Sequence, residues 1–228
     1  MVKTGLSARP QPFSARVILR ETALPERPRR PDATMVDAGP DLAARLDAAM
    51  GHRPLLLRIP RLGPDLEEWL AVALPRVAAI VLGDCRDGGD LARLGTRLGV
   101  WEALLDRPDG STAMLAELAP AALLHPATLA TARPRLVGLM WDATALAEAC
   151  GGEHDGLEDS GPAVTVRTLL VLAGASLALP VYDTASPDAA LEQAAAAARR
   201  LGFTGKVAAH PGQVAALERA FAPRVPLP

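Results

Sequence analysis

Eight short aliphatic runs, most of them separated by segments of helical periodicity, limit what this chain can fold into. They lie at Val17–Leu19, Thr34–Val36, Leu55–Ile59, Ala78–Leu82, Thr112–Leu118, Leu136–Trp141, Leu177–Asp183 and Lys206–Ala209. Each has strand length and lacks the wet-face alternation of an exposed sheet, the pattern of parallel strands covered on both sides. The spacing predicts helices from Gly39-Pro40-Asp41 to about Met50, after Pro64-Asp65, over Leu91–Leu98 with an acidic cap at Asp90, and around Leu123, Leu124 and Leu129. Further helices are predicted over Thr165–Ala175, over Pro187–Leu201 with a stop at Gly202, and over Gln213–Phe221. The rhythm runs through 228 residues without a linker, which predicts one α/β domain, a (β/α)8 TIM barrel. A doubly wound sheet is the competing arrangement, but no G-x-G-x-x-G follows the first run. The length is small for a barrel and no helix is read between the first two runs, so at least one outer helix is predicted shortened or missing. The predicted boundaries are a tail at 1–15, the barrel at 16–223 and a tail at 224–228, with the acidic stretch Gly151–Pro162 as a surface loop.

Half of the residues are hydrophobic but only 3% are aromatic, so the core must be aliphatic. The net charge is −2 and no Lys/Arg cluster is interleaved with aromatic residues, which argues against a nucleic-acid surface. Arg16–Arg30 is locally basic but broken by Pro25, Pro28 and Pro31, and reads as a solvated connection. Cys85 and Cys150 read as packed thiols in a reducing, cytoplasmic setting. Cys150 and His154 have ligand-like spacing but no second pair. No apolar run reaches the roughly 18 residues of a membrane helix.

In a barrel the chemistry sits where strands end, which points to Asp37, Arg58, Asp84, Glu117, Asp142, Asp183 and His210. Strand-end polar residues also cap helices, the alternative for Asp84 and Asp183. His210, before a proline, either handles a proton or fixes the neighbouring loop. Glu153–Asp159 reads as a solvated loop or as a source of oxygen ligands. Lys206 begins its run and is given no catalytic role.

Gly202-Phe203-x-Gly205-Lys206, followed by His210-Pro211-x-Gln213-Val214 and Ala220-Phe221-x-Pro223, resembles the HpcH/HpaI aldolase and citrate lyase β-chain family. Leu56-Leu57-Arg58-Ile59-Pro60, Arg135–Trp141 and Leu179–Asp183 resemble further strands of that family in the same order. The resemblance implies carbon–carbon bond cleavage or formation in a small oxo- or hydroxy-acid, or its coenzyme A thioester, assisted by Mg²⁺. It makes Arg58 the substrate-gripping arginine and keeps Asp37. The family's metal-binding Asp falls on Ala145, the Glu before it on Thr144, and the other metal Glu on Leu118, next to Glu117. Its Pro-Lys pair becomes Gly83-Asp84, and the chain stops about where the barrel closes, before the family's C-terminal extension. The expected site is therefore Arg58 and His210 as catalytic groups, Arg58 and Asp37 for the substrate, and Glu117 and Asp142 for Mg²⁺. The expected partners are a small carboxylic acid or acyl-CoA and further copies of the chain. Lost ligand positions leave the alternative of a barrel kept as a ligand-binding or regulatory protein.

Overall fold

The computed structural model describes residues 15–20, 32–51, 54–132, 134–151 and 161–223. The expectations for the two tails, the proline-rich connection and the acidic loop fall mainly on residues outside these. Eight parallel strands close into a barrel in sequence order: β1 Val17–Arg20, β2 Ala33–Asp37, β3 Leu55–Ile59, β4 Ala79–Cys85, β5 Ala113–Leu118, β6 Leu136–Met140, β7 Val181–Asp183 and β8 Gly205–Ala208. Around it lie α1 Leu42–Ala49, α2 Leu66–Ala73, α3 Gly88–Leu104, α4 Pro120–Leu124, α5 Ala143–Cys150, α6 Gly161–Leu177, α7 Leu191–Leu201 and α8 Pro211–Ala220.

Strand side chains alternate between two apolar layers. Ile18, Met35, Leu56, Val81, Leu115, Met140 and Val207 fill the barrel, while Val17, Val36, Leu57, Ile80 and Ala116 meet the helices. The chain's single tyrosine, Tyr182, belongs to the inner layer. It fits because Gly138 presents no Cβ, which would stand 3.0 Å from its ring. Continuing the same alternation to the strand ends directs Arg20, Asp37, Arg58 and Glu117 toward the barrel axis. At Gly83 a Cβ would stand 2.6 Å from the Pro60 carbonyl oxygen, so glycine is what lets the ends of β3 and β4 approach.

Several segments differ from expectation for local reasons. The seventh run yields only three strand residues because α6 continues to Leu177. The helix after β5 breaks at Pro126, which cannot donate to the ladder, and continues as a 3-10 segment over Pro126–Ala132. Asp87, not Asp90, caps α3: its carboxylate accepts from the Asp90 amide at 3.0 Å, and Asp90 accepts from the Arg86 amide at 2.8 Å. Helix α5 was not expected at all. Both cysteines are free; Cys85 is buried, its thiol pushed up to about 12 by burial, but Cys150 is exposed rather than packed. No helix of the described residues is long and apolar enough to cross a membrane.

At the opposite end of β5 from the strand-end residues, buried Glu102 accepts from the amides of Gly110 (2.9 Å) and Thr112 (2.6 Å) and from both Arg135 Nη atoms (2.9 and 2.8 Å). Burial alone would raise its pKa, but Arg135 and the two amides outweigh that and hold it at about 2, below the ordinary 4.5. A depressed carboxylate stabilises the fold above its unfolded pKa and loses that contribution as pH falls through the folded value. This group should contribute about 3 kcal/mol at neutral pH. Denaturant titrations from pH 7 to 2 should show stability falling from about pH 4.5 downward, and Glu102→Gln should lower the plateau and flatten that acid limb.

Candidate active site at the barrel mouth

Five charged side chains from four strands and the end of β6 form one connected cluster. Arg58 of β3 is its centre. Its Nε donates to Glu117 Oε2 at 2.7 Å and its Nη2 to Glu117 Oε1 at 2.5 Å, a bidentate pair between β3 and β5. Nη2 also reaches Asp142 Oδ2 at 3.3 Å, and Nη1 reaches Asp37 Oδ1 at 3.3 Å. Arg20 of β1 donates to Asp37 at 2.8 and 3.3 Å and lies 3.8 Å from Asp142 Oδ2. The register explains the meeting, because Asp37 and Arg58 are neighbours on adjacent strands. Asp142 is oriented from both sides: Oδ1 caps α5 by accepting from the amides of Thr144 (2.8 Å) and Ala145 (3.2 Å), leaving Oδ2 for the arginines.

The electrostatics are those of a half-buried ion cluster. Glu117 is buried, Arg58 nearly so, and Arg20 lies at the solvent edge with 37% of its side chain exposed. Burial opposes the charge on Arg58, but hydrogen bonding and attraction to Glu117, then Asp37 and Asp142, outweigh it and push its pKa above the usual arginine value. Two cations face three carboxylates, leaving one net negative charge. A guanidinium fork this well matched to carboxylates is also matched to the carboxylate of a ligand.

Asp37, Arg58, Glu117 and Asp142 thus come together at the mouth. Glu117 rather than Leu118 faces the axis, since it shares the parity of Ala113 and Leu115 while Leu118 packs outward. The count back from Arg135 crosses a register shift between β5 and β6 at Met114/Leu115, so spacing alone could not choose the face. The other expected residues lie outside the cluster. Asp84, at φ 44°, stays at the mouth, lining a cavity with Glu117 and Asp142, but pairs with Arg86 at 2.8 Å. Asp183 faces outward from β7 into a buried network, bonded by Trp141 Nε1 (2.7 Å), Lys206 Nζ (2.9 Å) and Arg167 Nη2 (3.1 Å). Neither is a helix cap. His210 Nε2 lies 2.9 Å from Asp188 Oδ1, and Gln213 bonds Asp188 at 2.7 Å, the Ser186 carbonyl at 2.9 Å and the Ala209 amide at 2.9 Å. The His-Pro-x-Gln motif therefore latches the loops after β7 and β8 together. Arg20 was missed, because the basic stretch containing it reads as a connection; its signal was parity, two residues after the interior Ile18.

No protein-family model and no curated protein matches the chain. Solved structures do match in fold. RipC from Yersinia pestis aligns with a TM-score of 0.74 at 22% identity, over 94% of this chain and 98% of that one. A citrate lyase from Burkholderia xenovorans gives 0.78 at 16% identity, over 93% and 78%. The Mycobacterium tuberculosis citrate lyase β subunit, in complex with oxaloacetate and magnesium, gives 0.65 at 21% identity, over 85% and 88%.

Proposed function

We propose that the chain is a divergent member of the HpcH/HpaI aldolase and citrate lyase β-chain family, acting as a carbon–carbon lyase on a small oxo- or hydroxy-acid. The single observation that carries this is the sharing of one guanidinium, Arg58, by Glu117 and Asp142. A substrate carboxylate would take Arg58 in a bidentate pair, with Arg20 at the solvent edge as a second cation. The carboxylates so released, Glu117 and Asp142, are hard oxygen donors converging on one point, and they suit Mg²⁺, which commonly uses one or two protein carboxylates with substrate and water completing its shell. Among the described residues no group of three acidic, His or Cys side chains is set to hold a metal, so Mg²⁺ would depend on the substrate for its remaining contacts. When bound, the ion would polarise the substrate carbonyl and stabilise the enolate left by bond scission.

Charge pairing supports this exchange of partners. A substrate carboxylate replaces Glu117 and Asp142 as the partner of Arg58, and Mg²⁺ replaces Arg58 as the partner of those carboxylates, whereas either ligand alone would leave carboxylates or arginines unpaired. Asp37 stays with Arg20 and, through its backbone carbonyl, with Arg45 at 2.9 Å, orienting Arg58 from the side away from Glu117. His210 we assign to holding the loop over the mouth through Asp188 rather than to proton transfer. Calorimetric titration tests the site: oxaloacetate with Mg²⁺ should give a saturable heat that neither gives alone, and a flat trace with both present would refute it and favour a barrel binding some other ligand.

A further inference from the structure

A cavity of about 40 Å³ opens beside the charge cluster, with the carboxylates of Asp84, Glu117 and Asp142 at its rim. Its walls are apolar: Leu118 from the end of β5, Trp141 from the end of β6, Leu146 from α5 and Val166 from α6. Ala145 and Ala149, one turn apart on α5, also line it and contribute only methyl groups. It leads sideways from the mouth, between the strand ends and α5 and α6. At about 10–15 Å³ for each water-sized group, it holds about three carbon atoms.

We propose that this cavity receives a short alkyl branch of the substrate, so that the preferred acid carries a hydrocarbon chain of two to four carbons beyond its 2-oxo-carboxylate group. This rests on the carboxylate-binding role proposed for Arg58, which anchors the acid beside the cavity. The apolar walls have nothing to offer a second charged group, whereas each methylene placed against them leaves water. The rim carboxylates reinforce the choice: an anionic substituent entering between Glu117 and Asp142 meets like charge, and a neutral one does not. Trp141 forms a firm wall, since its indole N–H is held by buried Asp183 at 2.7 Å.

The test is a calorimetric series in saturating Mg²⁺ with pyruvate, 2-oxobutanoate, 2-oxopentanoate, 2-oxohexanoate and 2-oxoheptanoate. Affinity should rise about threefold to fourfold for each of the first two or three methylenes and then level off. In Ala149→Leu, whose side chain would fill the cavity from an exposed helix position, the ratio of 2-oxopentanoate to pyruvate affinity should fall to about one. Equal affinity across the series in the unaltered protein, or an unchanged ratio in the variant, overturns the cavity assignment while leaving the carboxylate site standing. Absence of binding by every acid overturns both.

Discussion

Replacing Arg58 with methionine should cost about 3 kcal/mol of unfolding free energy, the low end of the penalty for removing one partner from a buried ion pair, because the cluster is half-buried. Glu117 is 5% exposed and has its bidentate partner removed, while Asp37 and Asp142 lose their shared cation. The same variant should be stabilised by millimolar Mg²⁺ or Mn²⁺ in thermal unfolding, because a divalent cation can take the position of the guanidinium between the freed carboxylates. The unaltered protein should respond to Mg²⁺ alone far less, since Arg58 already holds that position. Arg58→Lys separates charge from geometry: it should recover part of the stability but little carboxylate affinity, as an ammonium cannot reproduce the planar fork. If Arg58→Met were as stable as the unaltered protein and indifferent to divalent cations, the cluster would not be the organising feature of the mouth.

A second large effect is expected outside the barrel wall. Asp183 and Lys206, neighbours across β7 and β8, are both fully buried and bonded at 2.9 Å. Asp183→Leu should therefore destabilise by about 3–5 kcal/mol, by stranding a buried lysine without its carboxylate. The double variant Asp183→Leu/Lys206→Met should recover part of that loss, since it removes the buried lysine charge while Arg167 and the Trp141 indole still lose the Asp183 carboxylate. Arg167 keeps its stacking on the Phe203 ring, 5.6 Å from the centroid. A double variant as unstable as the single one would show that Lys206 is not what Asp183 neutralises. Because Asp183 also fixes the Trp141 indole, the single variant should weaken discrimination among 2-oxo acids as well as stability.

The two predictions show which parts of the molecule could be read from residues in order. The barrel was legible because eight aliphatic runs impose a period on the whole chain, and no local exception disturbs that count. Position at a strand end also pointed to Asp37 and Arg58, which meet at the mouth. It failed at Asp183, which ends a strand just as Asp37 does but faces outward; β7 is only three residues long, too short for its parity to be judged without its neighbours. Glu117 against Leu118 was undecidable by spacing, because a register shift between β5 and β6 lies within the counted interval. Arg20 was hidden by composition: a stretch rich in arginine and proline looks solvated, while Arg20, two residues after the interior Ile18 at the end of β1, joins Asp37 at the mouth. Asp142 was named for its position but not for its device. Capping α5 through one oxygen while presenting the other to Arg58 is visible only once the helix is in place.

The exchange of partners at Arg58 is tested most directly by measuring oxaloacetate affinity across a Mg²⁺ series, and Mg²⁺ affinity across an oxaloacetate series, by calorimetry on the unaltered protein. Linkage requires the two enhancements to be equal. Each ligand should strengthen the other by at least about tenfold, equivalent to about 1.4 kcal/mol of coupling. Binding of either ligand at full strength in the absence of the other would contradict a site in which one guanidinium stands where both must enter.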